Sequence, residues 1–136
     1  MKTCEERIDA VLKSTMTDLE TLWNLYSEDP EEYDPDLGNW FEYGISFDYV
    51  AANTFDDQPE GYFRYRLSWG GPSDEFRFCA QRGKWGWEAQ RIEYWFMDWF
   101  DGASRDVTDS QTLSEIFDWF NEVGVCDNEF DKAEEG

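Results

Sequence analysis

Between Tyr62 and Phe78 the chain alternates apolar and polar side chains with a period of two. Phe63, Tyr65, Leu67 and Trp69 interleave with Tyr62, Arg64, Arg66 and Ser68, and beyond residues 70–74 Phe76 and Phe78 interleave with Glu75 and Arg77. Successive side chains of a strand point to opposite faces, so this pattern demands two strands with one face in a core and the other in solvent. The Gly-Gly-Pro-Ser-Asp stretch at 70–74 turns the chain, and Glu75 and Arg77 are expected to meet the arginines across the hairpin. Ile45, Phe47 and Tyr49 alternate with Ser46 and Asp48 as a further strand. The run at 91–100 also fits a helix through Ile92, Trp95, Phe96 and Trp99. Its aromatic content and its stop at Asp101–Gly102 favour a strand, with a cover required on each face near its end.

Outside this region the period changes to three and four. Ile8, Val11, Leu12, Leu19, Leu22, Trp23 and Tyr26 form one helical face from Thr3 to about Ser27, and Thr3 with Glu6 supplies a capping box. Leu113, Ile116, Phe117 and Phe120 form another between about Asp109 and Val123, with Thr108 and Gln111 as a second capping box and Gly124 as its stop. The expected fold is therefore α+β: an N-terminal helix, a four-stranded antiparallel β-meander and a C-terminal helix, in a single domain over 1–136 with 125–136 as a frayed acidic tail.

Charge now decides more than pattern. The chain carries 32 Asp and Glu against 11 Lys and Arg, a net charge of −21 without histidine. Such a chain repels nucleic acid and anionic membranes and attracts basic proteins. Disordered acidic segments are poor in aromatic residues, whereas Phe, Trp and Tyr make up 19% here, so the chain is expected to fold around an aromatic core. The acids are segregated. Glu28, Asp29, Glu31, Glu32, Asp34, Asp36, Glu42, Asp48, Asp56, Asp57 and Glu60 follow one another without a Lys or Arg, and the segment from 106 onward has Lys132 alone among its carboxylates. The middle of the sheet holds Arg64, Arg66, Arg77, Arg82, Lys84, Arg91 and Arg105 and is nearly neutral.

Duplex DNA presents about one phosphate charge per 1.7 Å of axis, so a net charge of this size corresponds to roughly ten base pairs of backbone. Carboxylates three or four residues apart on a helix stand about 5–6 Å from one another at their roots. The candidate partner-binding residues are Glu28, Asp29, Glu31, Glu32, Asp34, Asp36, Asp56 and Asp57, with Glu115, Asp118 and Glu122 as a second cluster.

Catalytic and metal chemistry find less support. Asp34, Asp36 and Gly38 approach a calcium loop, but the glycine comes one position early and the closing glutamate is missing. Glu93, Asp98 and Asp101 sit among Trp residues as in sugar-cleaving sites, yet Trp85, Trp87, Trp95 and Trp99 are better explained by packing. Cys4, Cys79 and Cys126 show no paired spacing, and no phosphate-cradling glycine loop occurs. No enzyme activity, metal or cofactor is expected. Neither a signal peptide nor a membrane-spanning run is legible, which points to the cytoplasm; a homodimer is compatible with the sequence.

The segments 61–78, GYFRYRLSWGGPSDEFRF, and 91–107, RIEYWFMDWFDGASRDV, resemble a family of small acidic proteins carried by bacterial plasmids, integrative elements and phages. That resemblance implies a DNA-mimic inhibitor of the antirestriction or anti-CRISPR type, whose partner is a basic DNA-binding protein or nuclease complex. Two alternatives are an immunity protein for a basic toxin nuclease, and a carbohydrate-binding domain using surface Trp residues. The cluster Arg64, Arg66 and Arg77 departs from a uniformly acidic mimic.

Overall fold

The computed structural model describes residues 3–29, 31, 38, 40–70, 72–84, 86–98 and 101–135. Helix α1, Cys4–Glu28, starts where expected. The Thr3 hydroxyl accepts from the Glu6 N–H (3.2 Å), and the Glu6 carboxylate accepts from the Thr3 N–H (3.3 Å). Two backbone donors that a helix start leaves open are thereby satisfied. Replacing Thr3 by alanine is expected to cost about 1 kcal/mol, seen as a melting temperature lowered by about 3–5 °C in a circular-dichroism scan. The buried face of α1 is Cys4, Ile8, Thr15, Leu19, Leu22 and Trp23, and a short turn of helix, α2, spans Trp40–Tyr43.

The sheet is a five-stranded antiparallel meander: β1 Ser46–Val50, β2 Tyr62–Ser68, β3 Ser73–Gly83, β4 Gly86–Asp98 and β5 Asp101–Asp106, in spatial order β1-β2-β3-β4-β5. The strand reading of 91–100 holds for β4. The expected count of four strands does not, because Asp101 and Gly102 open β5 instead of merely ending β4, with Asp98 opposite Asp101. β5 was hidden because its stretch, DGASRD, carries one buried apolar residue, Ala103. An edge strand with little to bury leaves no hydrophobic period to read.

Helix α3, Gln111–Glu122, is capped by Ser110, whose hydroxyl accepts from the Leu113 N–H (3.2 Å). The expected Thr108–Gln111 box is absent because the Thr108 hydroxyl instead accepts from the Ile92 N–H in β4 (3.0 Å). Gly124, at φ +86°, ends this helix as expected. The C-terminal segment is not a frayed tail: α4, Val125–Glu135, buries Cys126 completely and sets Phe130 against Tyr49 and Trp87, each ring pair 5.0 Å apart. No helix among the described residues is long and apolar enough to cross a membrane.

All the long helices pack on one face of the sheet, α1 against β4 and β5, α3 against β4, and α4 against β1. The core between the layers is aromatic. Phe63 touches Phe47, Tyr49, Trp87 and Phe117, and Trp40 meets Trp23 and Trp119 edge-on at 5.0 and 4.9 Å. Trp87 is in this core as the sequence suggests, Trp95 is half-buried on the other face, and Trp85 and Trp99 lie outside the described residues. At the β3–β4 turn Gly86 has φ +119°, and a Cβ there would lie 2.7 Å from the Asn121 side chain. Glycine thus admits the amide of Asn121, which accepts from the Trp87 N–H and donates to the Trp87 carbonyl, both at 3.2 Å, fastening the hairpin to α3.

The end of the 91–100 run, where a cover on both faces is expected, includes residues 99 and 100, which lie outside the described residues. The second face of the sheet carries the polar half of the alternation together with a small buried cluster of its own, Val50, Tyr62 and Cys79. Across it run Asp48, Arg64, Arg77, Glu93 and Asp106 in one row and Ser46, Arg66, Glu75, Trp95 and Ser104 in the next.

Candidate functional site: carboxylates on the helical layer and at the edge of the open sheet

The basic side chains of the sheet face, Arg66 excepted, are held by carboxylates of the same chain. Arg64 pairs with Asp48 in register across β1 and β2 (2.6 Å). Glu75 stands opposite Arg66 and Arg77 opposite Arg64, as expected across the hairpin, and Arg77 forms its ion pair along its own strand with Glu75 (2.8 Å). Arg91 engages Glu60 and Glu93, Arg7 engages Asp98, and Arg105 engages Glu5 and Asp9. Arg82 reaches Asp127 on α4, and Lys132 pairs with Glu129 within α4. Arg66 lies 4.2 Å above the Trp69 ring. The arginines that interrupt the acidic pattern of the sequence are therefore engaged internally.

The carboxylates left over fall into separate places. Glu115, Asp118 and Glu122 come together, spaced three and four residues apart along α3, beside Trp23, Tyr26 and Trp119 in a groove of about 320 Å³ between α1 and α3. Hydrogen bonds tie the groove together: Trp23 donates to Glu115 (2.9 Å), Gln111 donates to the other oxygen of Glu115 (2.9 Å), and Trp119 donates to the Tyr26 hydroxyl (3.1 Å). Burial first, then the charges of Glu122 and Glu115, raise the pKa of Asp118 above the ordinary carboxylate value. Three like charges held at helical spacing repel one another, and an arriving cation relieves that repulsion.

Glu28, Asp29 and Glu31 are exposed at the end of α1, where the Asp29 side chain accepts from the Glu31 N–H (3.0 Å). Glu32, Asp34 and Asp36 lie outside the described residues. Asp56 and Asp57 do not join the helical cluster. They belong to the β1–β2 loop, where the Gln58 side chain accepts from the N–H groups of Thr54 and Phe55 and donates to the carbonyls of Ala51 and Glu60. That loop borders a groove on the open sheet face.

Sequence reasoning missed the carboxylates of α4. Asp131 and Glu134 are exposed on an ordered helix, and Asp127 accepts from Trp87 (3.0 Å) as well as from Arg82. The signal was present in Cys126, Phe130 and Ala133, spaced as one helical face, but the acids around them read as a tail. Among the described residues no group of three or more His, Cys, Asp or Glu is arranged to hold a metal ion. No known protein-family model, curated protein or solved structure matches the chain.

Proposed function

We propose that the chain is a non-catalytic inhibitor that imitates the phosphate backbone of DNA and occupies the DNA-binding surface of a basic protein, a restriction or CRISPR effector of a bacterial host. One observation carries this reading. The arginines of the sheet are turned onto the chain's own carboxylates, or in the case of Arg66 onto the Trp69 ring, whereas Glu28, Asp56, Asp57, Asp118, Glu122, Asp131 and Glu134 have no ion-pair partner among the described residues. The excess negative charge is thus fixed on helices and a braced loop, where regularly spaced carboxylates attract a cationic surface over long range and dock without reordering.

A carbohydrate-binding role is less well supported, because two indoles of the described residues that lie outside the core, Trp69 and Trp95, each have one face taken by a guanidinium, from Arg66 and Arg77. An immunity protein against a toxin nuclease shares the electrostatics of a mimic and differs in its target. A pull-down from bacterial lysate at low salt tests the proposal. The wild-type chain should capture a basic protein that added duplex DNA elutes, and identification of the eluate separates a defence effector from a toxin. Capture that survives excess duplex contradicts mimicry.

A further inference from the structure

At the β1 edge of the sheet, strand β1 and the junction of α3 with α4 enclose a pocket of about 220 Å³ on the helical side. Phe47, Tyr65 and Phe120 form its floor, with Phe120 stacked on Phe47 at 3.9 Å and set against Tyr65 at 5.6 Å, and Ile45 and Val125 edge it. None of its described lining residues is charged. Ile45 is 56% exposed, and Val123, two residues before Val125, is 52% exposed. Exposed apolar side chains are ordinary when scattered, but an exposed isoleucine at the mouth of a preformed apolar pocket marks a contact surface.

The surroundings select the occupant. The segments 42–47 and 120–125 hold the exposed Glu42 and Glu122 and no Lys or Arg, and Arg64 and Arg66, which flank Tyr65, lie on the opposite face of the sheet. With a net charge of −21, the chain repels nucleic acid, anionic lipid and a second copy of itself, and attracts a cationic surface. The pocket is smaller than the roughly 300–1,000 Å³ of small-molecule sites and suits a single side chain. Trp40 packs edge-on against Trp119, a wall of the acidic groove, at 4.9 Å and against Phe120 at 5.8 Å, so pocket and groove share one aromatic support. We propose that the pocket takes one apolar side chain, such as leucine, carried on the cationic surface of the partner protein. This rests on the proposal that the partner is basic, and it adds a salt-resistant apolar anchor that a phosphate backbone does not offer.

The test uses the full chain labelled with ¹⁵N and with ¹³C at its isoleucine methyls, and two blocked peptides, lysine–leucine–lysine and lysine–glutamine–lysine. The reporter is the Ile45 methyl, assigned by its loss in Ile45→Ser. The leucine peptide should shift this signal and bind roughly three- to tenfold more tightly than the glutamine peptide. That ratio should hold as salt is raised, because salt screens charge and not apolar burial. Ile45→Ser should reduce binding of the leucine peptide to the level of the glutamine peptide, read from the peptides' own signals. It should not lower the melting temperature, since the Ile45 side chain is exposed.

Equal binding of the two peptides overturns the proposal. A still Ile45 signal with movement of the Trp23 and Trp119 indoles overturns it too, by confining the peptide to the acidic groove. An Ile45 signal that moves with protein concentration in the absence of peptide assigns the pocket to a second copy, and tighter binding of N-acetyl-leucine amide than of the leucine peptide assigns it to a small molecule; either result overturns the proposal. None of these outcomes touches displacement of the partner by DNA, so failure of the pocket and failure of mimicry are read separately.

Discussion

Replacing Asp118 and Glu122 together by lysine should lower partner affinity at low salt about a hundredfold and flatten its dependence on salt, while the protein remains folded. Both side chains are exposed and have no ion-pair partner among the described residues, so their charges act outward. A hundredfold change is about 2.7 kcal/mol, within reach of two reversed charges facing a cationic surface. Stability should not fall, because lysine at 118 turns a repulsion with Glu115 into an attraction, and both lysines sit near the negative C-terminal end of α3, which has no basic residue in its last turn. Titration calorimetry at two salt concentrations and a thermal melt separate the effects.

The pH response of the same cluster has a defined sign. The folded-state pKa of Asp118 is raised above the ordinary carboxylate value, so its protonated form is favoured by folding. Its contribution is fully present below the unfolded value and is lost as pH rises through the folded one. Asp101 and Asp106 behave oppositely. Their pKa values are lowered chiefly because they accept backbone N–H bonds from Cys4 and Thr108, so their stabilisation is lost as pH falls through the folded value. Asp118→Asn should therefore gain melting temperature relative to wild type at neutral pH and lose that advantage on acidification.

Trp40→Ala should be the most damaging of the single substitutions, at about 3–5 kcal/mol, or a melting temperature roughly 10–20 °C lower. Trp40 is 2% exposed and touches Trp23, Tyr26, Trp119 and Phe120, linking α1 and α3 through one side chain. Trp23 and Trp119 line the groove that carries Glu115, Asp118 and Glu122, so loss of Trp40 should weaken partner binding as well. Trp40→Phe, which keeps part of the ring contact, should retain most of both properties.

Elements that bury a periodic face were readable in advance. α1, with its Thr3–Glu6 box, and the aromatic faces of β2 and β3 follow from spacing alone, because burial on one side leaves a repeat of three to four or of two. β5 escaped because it buries little. α4 escaped because the abundant acids around Cys126 and Phe130 masked three apolar positions. The sequence also located the carboxylates of α3 without revealing that α1 supplies their aromatic floor, since Trp23 and Glu115 are far apart in the chain and meet through packing. The internal pairing of the arginines was likewise invisible, because register decides it: Arg64 meets Asp48, whereas Arg77 meets Arg64 and turns to Glu75.

Competition for DNA tests the central claim most directly. With the captured partner purified and bound to a fluorescent duplex, rising concentrations of the chain should release the duplex completely. The apparent affinity of the chain should fall in proportion to the DNA present, and the lysine variant at 118 and 122 should require about a hundredfold more protein. A stable complex holding partner, chain and duplex together would contradict the account.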